Sequence, residues 1–428
     1  MFQFFKSEFF NFEFVRVLGT TPFGGAETAE CLDAASQIKS DDPESWSRAW
    51  QVQAEKAEGL ANEAVQAGDR VAARDAFLRS SNYFRAAQYM FNDRPETPEP
   101  RVLQLFEKSV SQFQRALKLL DADVKALDIP YENGHTLPGY LYLPPAHKRL
   151  PGRIPLLINC GGADSTQEEL YSLYPAAGVE RGYAVLTYEG PGQGVVLRRD
   201  KLRMRPDWEA VVGRVLDHVW TLPADLALDL DRVAVAGASM GAYYALRGAA
   251  DPRVRACVAV DPIYDMWDLA TDRMPAAFVN AWLGGWVADG AFDAVWALLS
   301  RFSFQLRWEL THCMWIFGVP SAAAAMKAMR RWTLRGGGDS KGADFLARVN
   351  CPVLVSGAAG TIYTAPEIST HRVFDGLRHL PDARKEMWIA KAPGEGGLQA
   401  KVGAWRLVQQ RTFRFLDQQF GIHREPLE

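Results

Sequence analysis

The sequence predicts an α/β protein, a mostly parallel sheet with helices on both faces, from two observations. Short apolar runs recur along the chain, among them Ile154–Asn159, Tyr183–Tyr188, Val233–Ala236 and Val254–Val260, separated by helix-length segments. Strands that alternate with helices pair in parallel and are buried on both sides. The second observation is the pentapeptide Gly237-Ala-Ser239-Met-Gly241, set between the apolar run Arg232–Ala236 and the helical stretch Ala242–Ala250. In the order strand, G-x-S-x-G, helix, the motif holds a serine at the tip of a strand, with the next backbone N–H, on Met240, placed to donate to an oxyanion.

Before the first strands, residues 1–123 read as helical. Asp42 and Pro43 supply an N-cap and a first-turn proline for a helix running to Ala67, with Gly68 just past its end. A second helix is expected from about Arg70 to Met90, and a third from about Pro100 to Leu120. The pairing resembles a tetratricopeptide-like unit, so this region reads either as a cap or as an interaction module. The phenylalanine-rich opening is interrupted by Lys6, Glu8, Glu13 and Arg16, which no secretory leader tolerates. Core packing is the preferred role for it, with a homodimer or partner contact as the alternative.

From Lys125 the period changes. Ala126–Tyr131 and Leu137–Leu143 read as a hairpin around Asn133-Gly134. Later strands are expected at Val353–Val355 and Met387–Ala390. The stretch between Tyr264 and Phe345 is too long for a strand-to-strand crossover. It carries tryptophans at 267, 282, 286, 296, 308, 315 and 332 and reads as a helical lid insertion. The expected organisation is a helical region over 1–123, a core over 124–265 and 345–428, and a lid over 266–344.

Composition bounds the function. A chain of 428 residues with 48% hydrophobic and 23% charged residues is an ordinary globular protein larger than one average domain. A net charge of −3, with no basic cluster among aromatics, excludes a nucleic-acid-binding reading. Five scattered cysteines without a C-x-x-C pair argue against a disulfide framework or a zinc site and fit a reducing compartment. The longest uncharged runs, such as Met274–Ala288, are too short to span a membrane. A cytoplasmic enzyme needing no cofactor or metal is the expectation.

Candidate site residues lie in loops that follow strands, where ligands bind in open α/β sheets. The loop Cys160-Gly-Gly-Ala-Asp164 offers backbone donors at Gly162 and Ala163 as the second half of an oxyanion hole. Asp164 either faces the pocket or caps the following Thr-Gln-Glu-Glu segment, the latter preferred. Glu189 in Tyr188–Gly194 either lines the pocket or stabilises its turn.

These residues also carry a resemblance. Gly161–Glu169, Tyr188–Gly194, Gly237–Gly241 and Gly394–Ala404, together with the opening Ser7–Glu13 and Val17–Gly25, are similar to fungal α/β-hydrolases of polyketide pathways. That group includes the chain-shortening hydrolases of melanin-pigment synthesis, and the similarity is greatest to hydrolases encoded with polyketide–peptide synthases, as in fusarin and cytochalasan clusters. It implies an α/β-hydrolase fold, a serine site at Ser239 and a large polyketide-derived substrate.

The sequence departs from the general pattern of that fold. Its serine needs a histidine base and an orienting acid, yet Gly360 stands where an acid is expected and the stretch around Gly396 holds no histidine. Asp261 or Asp265, after the strand preceding the lid, can supply an acid, although Asp-Pro at a strand end commonly only starts a turn. His312, in Trp308–Trp315, is the candidate base or a lid-core histidine. Glu395, in the loop where the base belongs, is a candidate for proton transfer. Three functions follow: hydrolysis of a C–C, ester or lactam bond at Ser239; non-hydrolytic cyclisation using the oxyanion hole alone; or a scaffold binding a synthase through its N-terminal helices.

Overall fold

The apolar runs assemble into an eight-stranded sheet among the described residues, which in this computed structural model are 2–337, 344–363 and 365–427. Its strands are β1 (Asp123–Pro130), β2 (Thr136–Leu143), β3 (Ile154–Cys160), β4 (Ala184–Tyr188), β5 (Leu228–Ala238), β6 (Ala256–Val260), β7 (Val353–Ala358) and β8 (Lys385–Ala390). The order is β1-β2-β4-β3-β5-β6-β7-β8. β1 and β2 form the antiparallel hairpin, β2 joins β4 antiparallel, and every pairing from β4 through β8 is parallel. Every residue of β3, β4 and β6 is buried, as central parallel strands with both faces covered must be. Helix Met240–Gly248 packs on β5 and β6, Pro175–Glu180 on β4, and Trp405–Gln419 on β6.

The chain divides into two compact units. The α/β unit comprises Asp121–Gly190, Asp207–Tyr264 and the residues from Leu334 on; the helical unit comprises the residues up to Leu120, Pro191–Pro206 and Asp265–Thr333. The sequence carried no mark of the Pro191–Pro206 excursion. Within the helical unit the Met204 N–H donates to the Ile316 carbonyl (2.8 Å) and the Arg203 guanidinium to the Trp315 carbonyl (2.6 Å). Residues 338–343, inside the stretch expected as a lid, lie outside the described residues.

The helical unit follows local rules. Helices α1 (Glu8–Leu18), α2 (Thr28–Gln37), α3 (Pro43–Ala67), α4 (Arg70–Tyr89) and α5 (Pro100–Leu117) run in sequence. The Asp42 carboxylate accepts the N–H groups of Glu44 and Ser45, and Gly68 closes α3 at φ +72°. Ala54, Ala57 and Ala61 are fully buried on α3, small enough to let α4 approach closely. Phe9, Phe10, Phe12 and Phe14 are buried; Phe9 packs 5.2 Å from the Trp308 ring and Phe10 5.2 Å from Trp46. The phenylalanine-rich opening is thus core from Phe9 on, while Phe2 stays exposed. No helix among the described residues is long and apolar enough to cross a membrane.

Candidate active site

Ser239 sits between β5 and helix Met240–Gly248 with φ +55° and ψ −120°, a sparsely populated conformation for a residue with a side chain. The flanking glycines are demanded by sterics. A Cβ on Gly237 would collide with the Gly241 backbone, and one on Gly241 with the Cys160 carbonyl and the Gly161 backbone. The Ser239 N–H donates to the Val260 carbonyl at the end of β6 (2.8 Å). Ser239 is half-buried, and its hydroxyl makes no capping hydrogen bond to the helix that follows. The nearby Cys160 thiol is pushed up to about 12 by burial, so it offers no competing thiolate.

The expected oxyanion donors come from the elbow and from the loop after β3. Met240 opens its helix, so its N–H has no intrahelical acceptor. The Gly161–Ser165 loop lies against the elbow, with the Cβ position of Gly162 3.6 Å from the Ala238 carbonyl. The Gly162 N–H, however, donates to the Ser165 hydroxyl (3.0 Å). Ala163 is half-buried in the same loop. Asp164 is half-buried in this loop, and the following helix starts two residues later than expected, with Thr166 at its N-cap. Glu189 is buried and accepts the Gln167 N–H (3.2 Å), which fixes the loop after β3.

The remaining candidates separate. Asp265 caps helix Met266–Thr271 through the Asp268 N–H (3.0 Å) and accepts the Thr333 hydroxyl (2.7 Å). In the helical unit, His312 lies on helix Phe304–Phe317. Its Nδ1 is 3.0 Å from Asn92 Oδ1 and its ring stacks on Trp308 at 4.9 Å. Glu395 is exposed and turns back to accept the Ala392 N–H (3.3 Å), away from the apolar burial that proton transfer by a carboxyl would use.

Asp261 has a partner that sequence reasoning missed. Its Oδ1 accepts from Lys401 Nζ (2.6 Å) and the Ser356 hydroxyl (2.8 Å). Lys401 Nζ also donates to the Gly357 carbonyl (2.7 Å) and lies 4.8 Å from the Trp388 ring. Both side chains are shut off from solvent, at 0% and 2% exposure. Burial pushes the Asp261 carboxyl up and the Lys401 ammonium down, while their mutual attraction opposes both shifts. Lys401 comes from the loop after β8, where a histidine is expected. The loop after β7 meets that loop through neutral groups: Gly360 N–H to the Gly397 carbonyl (2.8 Å) and the Thr361 hydroxyl to Gln399 Oε1 (2.8 Å). A lone lysine reads as solvent-exposed by default, so only its distant partner could have marked it. No group of His, Cys, Asp or Glu among the described residues has the arrangement to hold a metal ion.

Comparison with known proteins places this geometry. Residues 41–281 match the family model described as esterase FrsA-like. A hydrolyase of Penicillium oxalicum, poxO, is 54% identical over 99% of this chain and 100% of its own. The hydrolyase ccsE of Aspergillus clavatus is 50% identical over 99% of each chain. The 20-hydroxy-prefusarin hydrolase FUS2 of Gibberella moniliformis is 46% identical over both full lengths. Among solved structures, 2,6-dihydroxy-pseudo-oxynicotine hydrolase shares the fold at a TM-score of 0.68 and 20% identity, over 94% of this chain and 95% of that one. The chain belongs to the FrsA-like esterase family: it is an α/β-hydrolase of the fungal secondary-metabolite kind.

Proposed function

We propose that the enzyme hydrolyses a carbonyl-centred bond, C–C, ester or lactam, in a polyketide or polyketide–peptide intermediate, with Ser239 as nucleophile. The observation that carries this reading is the strained elbow. A non-glycine residue at φ +55° costs roughly 1–3 kcal/mol and persists where the strain serves a function. Met240 and Ala163 are the oxyanion donors, with Gly162 shaping the loop. The relative named for 20-hydroxy-prefusarin supports a substrate of that chemical kind.

In a β-dicarbonyl substrate the serine oxygen adds to one carbonyl, the C–C bond breaks, and the departing enolate carbon takes the serine proton. Water then releases the acyl group as a carboxylic acid. An activated substrate of this kind suits a serine turn whose sequence has Gly360 in place of the acid and no histidine around Gly396. Such sites keep roughly 10³–10⁴-fold over water from oxyanion hole and binding, whereas a positioned base would add ~10²–10⁴-fold. One observation favours a second reading. Gly360 stands where an acid is expected and no histidine stands around Gly396, and oxyanion donors alone stabilise an enolate that closes a ring.

Intact-mass analysis after a fluorophosphonate separates the two. An adduct on Ser239, absent from Ser239→Ala together with turnover, is expected. No adduct with turnover retained in Ser239→Ala makes the enzyme a cyclisation catalyst. We also place the enzyme in the cytoplasm, where its five free cysteines suit a reducing compartment. Sizing of the purified chain tests for a second copy.

A further inference from the structure

We propose that Lys401 is a positioning residue for the reaction at Ser239, acting through its ion pair with Asp261. The inference rests on Ser239 being the nucleophile. Asp261 directly follows Val260, whose carbonyl holds the Ser239 N–H at 2.8 Å. The orientation of that carbonyl therefore depends on the backbone of Asp261, which is itself strained at φ +48°. Ala400 and Lys401 are strained too, at φ +55° and +54°. Such conformations persist only where surrounding structure over-determines them. Here the determinants converge on Asp261. Lys401 Nζ and the Ser356 hydroxyl hold its carboxylate, the Ser356 carbonyl accepts its N–H (3.1 Å), and Gln399 Nε2 donates to its carbonyl (3.1 Å). One side chain from the loop after β8 thereby clamps the end of β6 and, through Gly357, the end of β7.

Stability alone does not account for the pair. Exchanging a buried ion pair for well-packed uncharged groups is often neutral or stabilising, whereas removing one partner strands a buried charge. A pair kept for cement is therefore replaceable as a pair; a pair kept for position is not. The ammonium is taken up by the Asp261 carboxylate and the Gly357 carbonyl. Its effect runs through Asp261 and the Val260 carbonyl.

The test uses the full-length chain with three variants: Lys401→Met, the double variant Asp261→Asn with Lys401→Met, and Ser356→Ala. Asparagine keeps the amide contact to Ser356 and tolerates positive φ. Three readouts are taken: melting temperature, amide exchange of the peptide carrying residues 237–241, and the rate of fluorophosphonate labelling. Lys401→Met is expected to melt well below wild type. The double variant is expected to recover most of that loss, yet to exchange the elbow amides faster and label about ten- to a hundredfold more slowly. Ser356→Ala keeps the ion pair and so keeps the test readable if the double variant does not fold; labelling slower by about fivefold is expected, the worth of one hydrogen bond. Wild-type exchange and labelling in the folded variants would overturn the proposal and leave the pair as cement. An unlabelled wild type with faster exchange in the variants would instead sink the nucleophile reading while the positioning of the elbow stands.

Discussion

The two units hold their buried charges in different ways. In the helical unit the buried pair is local: Arg16 and Glu13 lie one turn apart on α1 at 3.3 Å, and the Tyr89 hydroxyl from α4 is 3.2 Å from each side chain. In the α/β unit, Lys401 and Asp261 are separated by 140 residues and meet at 2.6 Å. Backbone strain differs in the same sense. The non-glycine residues of the helical unit at positive φ, Asp41 and Lys201, stand in connections, as do Asn133 and Ala227 of the α/β unit, whereas Ser239, Asp261, Ala400 and Lys401 follow strands β5, β6 and β8. A helix satisfies its backbone within itself, so helical packing asks little strain of any residue. A parallel sheet brings the carboxyl ends of its strands to one edge. Several loops must then share a small space there, and left-handed residues result.

The comparison can be broken at its tightest point first. Gly241→Val is expected to prevent folding or to cost more than about 3 kcal/mol, because the added carbons meet backbone rather than a mobile side chain. Chemical denaturation reads this out, and a midpoint near wild type would show that the elbow can relax. In the helical unit, Trp50→Ala is expected to cost about 3–5 kcal/mol. Trp50 is fully buried and stacks 5.3 Å from the Tyr83 ring; a loss below about 1 kcal/mol would mean that the α3–α4 interface collapses onto the cavity.

The smallest effect expected concerns pH. Hydrogen bonds from Arg101 hold the Glu44 and Glu99 carboxyls below the usual carboxylate range. Their folded values lie below the unfolded ones, so the folded state binds fewer protons. The stabilisation is therefore complete above the unfolded value of about 4.3 and fades as pH falls through the folded values. Arg101 and Glu44 are largely exposed, so Arg101→Gln is expected to cost at most about 1 kcal/mol at pH 7. Melting curves of the two proteins should converge near pH 3; a constant gap across that range would assign the loss to packing.

Much of this was legible in advance where the determinants are contiguous. The α3 boundaries follow from Asp42, Pro43 and Gly68, and the β1–β2 hairpin from Asn133-Gly134. The elbow announced itself because a glycine on each side of Ser239 is a local steric requirement. Glu395 and Lys401 share the loop after β8 and differ in where they turn. Sequence names the loop after β8, but not which of its side chains turns inward, and Lys401 rather than Glu395 does so.

By itself, then, the sequence determined the strand–helix alternation, the helix caps and the serine turn, because each rests on interactions within a few residues. The tertiary structure alone decided that Pro191–Pro206 joins the helical unit, that Ser165 takes the Gly162 N–H, and that Asp261 pairs with Lys401. A buried charge is tolerable only beside its counter-charge, and where that counter-charge lies 140 residues away, only the folded sheet brings the two together.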